Sequence, residues 1–319
     1  MGVNPASPSE NPSPKTAERL RATREPWKRI LVPTDFSTGA EHALRRALLL
    51  PLAEAAVVHV VHVLPPETPE KARARATTNA KRELEEVADR TRHTAAGRQL
   101  TLTSEVLSGE PYVEIIRKSR GFDAELVVLG RHGRRPVRDM FIGSTAERVI
   151  RKDDVPVLAV NHAPTHPYRR PLVAVGLEDT APRVLELALR ALDPDVETIR
   201  VVHAYHVPYE GFITPTFAAR EKSEYRRAFR DEARAGMARL LTRYADMGLR
   251  WKTTIRVGDA RLVVLAEAVH ARADLIALGT HGRSGVAHAL LGSVAEWVIS
   301  QADCDVLVGR PVRFAFEAP

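Results

Sequence analysis

A single cysteine, Cys304, occurs in 319 residues. That excludes a disulfide framework and fits a reducing compartment such as the cytoplasm. Cys304 reads as a small filler with no catalytic role. Aromatic residues make up 5% of the chain and do not interleave with the arginines. A stacking platform for single-stranded nucleic acid therefore has no support. No apolar run approaches the roughly 20 residues that cross a bilayer, so no membrane partner is expected. Residues 1–26 are rich in Pro, Ser, Asn and charge and lack the apolar segment of a secretory signal; they are expected to form a disordered tail. H-E-x-x-H, paired cysteines, G-x-S-x-G and G-x4-G-K-[ST] are all missing, which leaves a dedicated metal site, an esterase elbow and a Walker phosphate loop without support. His59 and His62 stand three apart on a strand and face opposite sides, as do His203 and His206.

What is present is the composition of a globular protein, 44% hydrophobic and 27% charged, at a length that suits two domains. The net charge of +7 comes mostly from arginine spread along helical faces, a solvated basic surface.

The most informative feature is a repeat. Gly130-Arg-His-Gly133, nine residues, then Gly143-Ser144 recurs as Gly279-Thr-His-Gly282, nine residues, then Gly292-Ser293, at a constant offset of 149. Each copy follows an apolar run, Ala124–Leu129 or Ala273–Leu278, and precedes a short helical pattern and another apolar run. His62 and His203 align at an offset of 141, so the second copy carries eight extra residues, placed in His206–Phe217.

Around this repeat, apolar strands alternate with helical patterns. In the first half the strands are Ile30–Thr34, Ala56–Leu64, Leu100–Leu107, Glu125–Leu129 and Val155–Val160. Thr38-x-x-Glu41 opens the first helix as a capping box, and Lys71–Arg92 is a charged helix. The second half repeats the order from Leu172 to Val308. Alternation of this kind predicts right-handed βαβ crossovers and a parallel sheet covered on both faces. Ligands of such sheets bind beyond the carboxyl ends of the strands, where strand order reverses. Asp35, Gly130 and Gly279 stand at such ends.

Gly130 removes a Cβ where a ligand or another backbone approaches closely. Gly143 and Ser144 open a helix whose unpaired N–H groups and dipole attract an anion such as a phosphate. Against this, Ser144-x-x-Glu147 and Ser293-x-x-Glu296 read as capping boxes, which need no ligand. Asp35 suits either a ribose or phosphate-borne metal contact or an Asx-turn. Arg131, Arg134, Arg135 and Arg138 are phosphate clamps or solvated loop charge.

At these residues the chain resembles the universal stress protein family, as a tandem of two UspA-type domains over about 28–162 and 170–311. Ile30-Leu-Val-Pro-Thr-Asp-Phe-Ser37 is similar to the family's opening strand and aspartate. The G-x2-G-x9-G-[ST] unit is its nucleotide signature. The resemblance implies an α/β fold of two tandem domains, each a doubly wound five-stranded parallel sheet of order 3-2-1-4-5. The expected division is a tail at 1–26, domains at 27–162 and 170–312, a linker at 163–169 and a tail at 313–319. The resemblance also implies ATP as cofactor, its phosphates carrying Mg. Adenine would lie near Val63, ribose near Asp35 and Gly130, and phosphates on Gly133, Gly143, Ser144 and Thr145. In the second copy Ala204, Gly279, Gly282, Gly292, Ser293 and Val294 match. There Gly176 replaces the aspartate, with Glu178 and Asp179 two and three residues on, while the first loop carries the extra arginines and Pro136. The expected function is an ATP-binding stress-response and signalling module without dedicated catalytic residues. Its partners would be adenine nucleotide and unknown proteins, with the two domains paired through their last strands and a homodimer beyond that. A slow ATPase and a nucleotide-free interaction scaffold are the alternatives.

Overall fold

The computed structural model describes residues 24–94, 100–131, 143–178, 180–208, 219–280 and 291–310. In the first half the strands are β1 (Trp27–Pro33), β2 (Leu52–Leu64), β3 (Leu100–Ser108), β4 (Leu126–Gly130) and β5 (Val157–Val160). They alternate with α1 (Thr38–Leu49), α2 (Glu70–Thr94), α3 (Pro111–Gly121) and α4 (Ser144–Lys152). The second half follows with β6 (Pro171–Ala174), α5 (Ala181–Ala191), β7 (Thr198–Tyr205), α6 (Ala219–Thr242), β8 (Arg250–Val257), α7 (Ala260–Ala271), β9 (Leu275–Gly279), α8 (Ser293–Gln301) and β10 (Asp305–Gly309).

All ten strands form one sheet in the order β3-β2-β1-β4-β5-β10-β9-β6-β7-β8. Each half is thus a parallel sheet of order 3-2-1-4-5, as expected. The halves join where β5 and β10 pair antiparallel, Leu158 opposite Leu307. This pairing turns one half around relative to the other, so their carboxyl edges lie at opposite edges of the common sheet.

Central strands are apolar on both faces because helices cover both. Val58 and Val60 enter a core with α1, α2, α5 and α6. Val61 and Val63 enter another with α3, α4, α7 and α8. Each core contains residues of both halves, so burial is continuous across the junction. The outer strands β3 and β8 are polar and largely exposed, which discourages further edge pairing.

The two offsets hold in three dimensions. Thr34 N donates to Val61 O at 2.8 Å, and Val175 N to Val202 O at 3.0 Å. Gly109 N donates to Leu64 O and Gly258 N to Tyr205 O, both at 3.0 Å. Helix α1 starts one residue earlier than the Thr38-x-x-Glu41 pattern predicts. Asp35 Oδ1 accepts from Ser37 N at 3.0 Å, and Phe36 adopts φ 61. That turn makes Ser37 the cap, its hydroxyl accepting from Ala40 N at 3.2 Å. The eight extra residues precede α6, which aligns with α2 at the offset of 149; most of His206–Phe217 lies outside the described residues. Arg24 and Glu25 fall within the expected tail yet are docked on the second half. Arg24 donates to Pro194 O and Val196 O at 2.6 Å each, and Glu25 O accepts from Arg190 at 2.9 Å.

Candidate functional site

The first carboxyl edge assembles Asp35, Val63, Gly130, Gly143, Ser144 and Thr145. Strand β1 lies beside both β2 and β4, so Asp35, the end of β2 and Gly130 are neighbours at the reversal of strand order. His62 Nδ1 lies 2.8 Å from Thr34 O and its ring lies 4.4 Å from that of Phe36, fixing the turn that carries Asp35. One Asp35 oxygen serves the Asx-turn noted above. Val63 is buried on the α3/α4 side of the sheet.

Gly130 has a packing role the sequence left open. A Cβ there would lie 2.5 Å from both C and O of Gly39 and 3.0 Å from Ala40 N. Its hydrogen therefore lets the end of β4 rest on the first turn of α1. Helix α4 departs from the capping-box reading. Its N-cap is Gly143, at φ −59 and ψ 140, with no side-chain cap bond. Ser144 is already the first helical residue, one position too far in for its hydroxyl to cap the helix. Gly143 N is taken by Arg131 O at 2.8 Å. Among the described residues nothing accepts from the amides of Ser144 and Thr145. Gly133, Arg134, Arg135, Pro136 and Arg138 lie outside the described residues.

The second edge repeats the construction. Gly292 is the N-cap of α8 without a side-chain cap bond, so Ser293 does not form the expected capping box either, for the same reason. Gly292 N donates to Thr280 O at 2.7 Å. Ala204 is the penultimate residue of β7, Gly279 ends β9, and Val294 lies in the first turn of α8. His203 Nδ1 lies 2.8 Å from Val175 O, as His62 does from Thr34 O. Gly176 holds the place of Asp35, and the Glu178 carboxylate occupies the space that a Cβ on Gly176 would take. Gly282, Arg283 and Asp179 lie outside the described residues.

Arg131 is not a phosphate clamp. It is buried and runs to the other half, where it donates to Ala302 O at 2.7 Å and to Ser300 O, at the carboxyl end of α8. Arg310 makes the reciprocal contact with Ile150 O near the end of α4. Each guanidinium meets the negative end of the other half's last helix, and burial lowers the pKa of both, Arg310 to about 10. The junction also buries an ion pair. Arg46 Nε donates to Asp305 Oδ2 at 2.9 Å, Tyr168 OH to the same oxygen at 2.5 Å, and Asn161 N to Oδ1 at 2.8 Å. Sequence reasoning missed these groups because their partners stand more than a hundred positions away. The absence of a hydrophobic alternative at Arg46 within an otherwise apolar helix face was the available signal.

Asp153 and Cys304 are also perturbed without pointing to catalysis. Burial pushes the Asp153 carboxyl up to about 7, although Val155 N and Ser119 Oγ donate to it. Burial, then Asp305, pushes the Cys304 thiol up to about 12, so it is inert. Among the described residues no His, Cys, Asp or Glu cluster could hold a metal, and no helix is long and apolar enough to cross a membrane. A cavity of about 630 Å³, lined by Val32, Val60, Leu44 and Val87, opens between α1 and α2. It lies on the opposite face of the sheet from α4.

The model of the universal stress protein family matches residues 26–161 and again 167–310. The chain belongs to the universal stress protein family, as a tandem member. It is 29% identical over 220 residues to universal stress protein E of Escherichia coli (strain K12), covering 66% of this chain and 68% of that protein. It is 27% identical over 231 residues to universal stress protein Rv2005c of Mycobacterium tuberculosis, covering 67% and 71%. A crystal structure of a universal stress protein from Archaeoglobus fulgidus DSM 4304 shares the fold at TM-score 0.61 and 21% identity, covering 89% of this chain and 98% of that one.

Proposed function

We propose that this protein is a cytoplasmic stress-response module that binds ATP at the first carboxyl edge, Mg being carried by the nucleotide's phosphates. The observation that carries the reading is the start of α4. A glycine N-cap puts no side chain over the opening amides, and Asp35 stands at the end of the adjacent β1. Backbone donors and the helix dipole favour a phosphate there, and the Asp35 carboxylate suits ribose hydroxyls. Gly133 would contribute from the loop. The second edge has the same helix start, with Glu178 in place of the aspartate, and takes the nucleotide more weakly through Ala204, Gly279, Gly282, Gly292, Ser293 and Val294. The role is sensing: a bound nucleotide changes the surface that partner proteins read.

Calorimetry with ATP and magnesium, together with mass spectrometry of the denatured protein, tests this. Binding that Gly143→Val abolishes at the first edge is the expected result, because the new side chain would fill the phosphate position. No heat and no released adenine nucleotide would overturn it.

A further inference from the structure

Helices α1 and α2 do not close over the strands beneath them. Val32 of β1 and Val60 of β2 line the cavity of about 630 Å³, together with Leu44 and Leu48 of α1 and Val87 of α2. The sister half shows that the backbone does not impose this space. There Leu240 stands at the position of Thr91, and a pocket of only about 130 Å³ remains. An unfilled apolar space forfeits the packing contacts that a filled core keeps. A hollow retained in one half alone therefore marks a place that a ligand can fill. An apolar cavity of about 150 Å³ takes up benzene; this one has room for a molecule several times larger and falls in the size range of small-molecule pockets.

The charged groups of the lining set the sign of that ligand. Glu41, Glu83 and Asp89 line the cavity with Arg45 and Arg90. Both arginines are engaged, Arg45 by Glu41 at 2.7 Å and Arg90 by Glu86 at 3.8 Å. Among the described residues no ion pair or hydrogen bond holds the carboxylate of the half-buried Glu83. We infer that the α1/α2 cavity binds an amphipathic amine, its apolar body on Val32, Leu44, Val60 and Val87 and its ammonium group at Glu83. The apolar lining supplies the affinity by burial, and the carboxylate selects a cation over an anion. The site is distinct from the nucleotide edge, since α4 covers the other face of the sheet.

Isothermal titration calorimetry of the full chain with decylamine and with decanoate, two ions of one tail and opposite charge, tests this. Decylamine should bind with a dissociation constant of about 100 µM or below, and decanoate about tenfold more weakly or worse. The chain carries a net charge of +7, so adsorption without a site would favour decanoate instead. Val87→Phe, which fills the cavity from α2, should weaken amine binding by about tenfold or more. Thr91→Leu should weaken it by about threefold while raising the thermal midpoint, so that the loss does not come from unfolding. Glu83→Gln should weaken it by about three- to fivefold. Saturating ATP should leave it unchanged. No heat from decylamine up to about 1 mM, equal affinity for decanoate, indifference to Val87→Phe or Glu83→Gln, or displacement by ATP would each overturn the proposal.

Discussion

Between α1 and α2 the first half leaves a cavity of about 630 Å³, whereas the corresponding region beside α6 in the second half leaves about 130 Å³. The difference follows from side chains at matched positions. Thr91 of α2, which lines the larger cavity, corresponds to Leu240 of α6. Val87 corresponds to Gly236, where a Cβ would meet Leu177 Cδ1 at 2.8 Å; the glycine lets Leu177 settle on the helix. One backbone plan therefore supports a filled core and a partly hollow one. The duplication conserved strand register and the helix starts at the sheet edges, and left the space between helices to diverge.

The junction diverges in the same way, and its disruption should have the largest effect. Arg46 pairs with Asp305 in the interior, while the matched position in the second half is Leu187, an apolar contact of Gly309. Asp305→Ala strands a buried guanidinium and the Tyr168 hydroxyl. It should cost about 3–5 kcal/mol in urea unfolding, and more than Leu187→Val.

Asp153 has Ala302 as its counterpart, so only the first half carries a buried carboxyl at the end of its last helix. Its pKa is raised from 3.8 to about 7. The protonated form therefore contributes stability that is complete below about pH 3.8 and is lost as pH rises through about 7. Relative to Asp153→Asn, the wild type should lose up to about 4 kcal/mol between those limits. Parallel pH profiles of unfolding free energy for the two proteins would reveal an Asp153 ionised throughout.

Gly130→Ala should destabilise by about 1–3 kcal/mol through overpacking against Gly39, measured as a drop in the denaturation midpoint without nucleotide. An unchanged midpoint would mean that the glycine serves only a ligand. The smallest effect is expected from Thr91→Leu, which copies Leu240 into the cavity. It should stabilise by about 1 kcal/mol despite the loss of the bond from Thr91 Oγ1 to Val87 O, and differential scanning calorimetry would register the rise.

Much of this was legible in the chain. Apolar runs gave every strand within a few residues, because central strands buried on both faces leave a continuous signal, as in Ala56–Leu64. The glycine spacing located both sheet edges. Helix starts were less legible: Ser37 caps α1, and Gly143 and Gly292 cap α4 and α8, because capping depends on backbone dihedrals that a Ser-x-x-Glu pattern does not encode. Arg131 was misread for another reason. A loop arginine looks the same whether it faces solvent or the end of a helix in the other half.

By itself the sequence determined the class of fold, the duplication and the places where backbone amides gather, since periodicity and glycine spacing are local properties. Only the tertiary structure decided which amides a neighbouring carbonyl takes, which arginines cross between halves and which half is hollow. Those outcomes depend on groups far apart in the chain meeting at distances of a few ångströms, and no local pattern records such meetings.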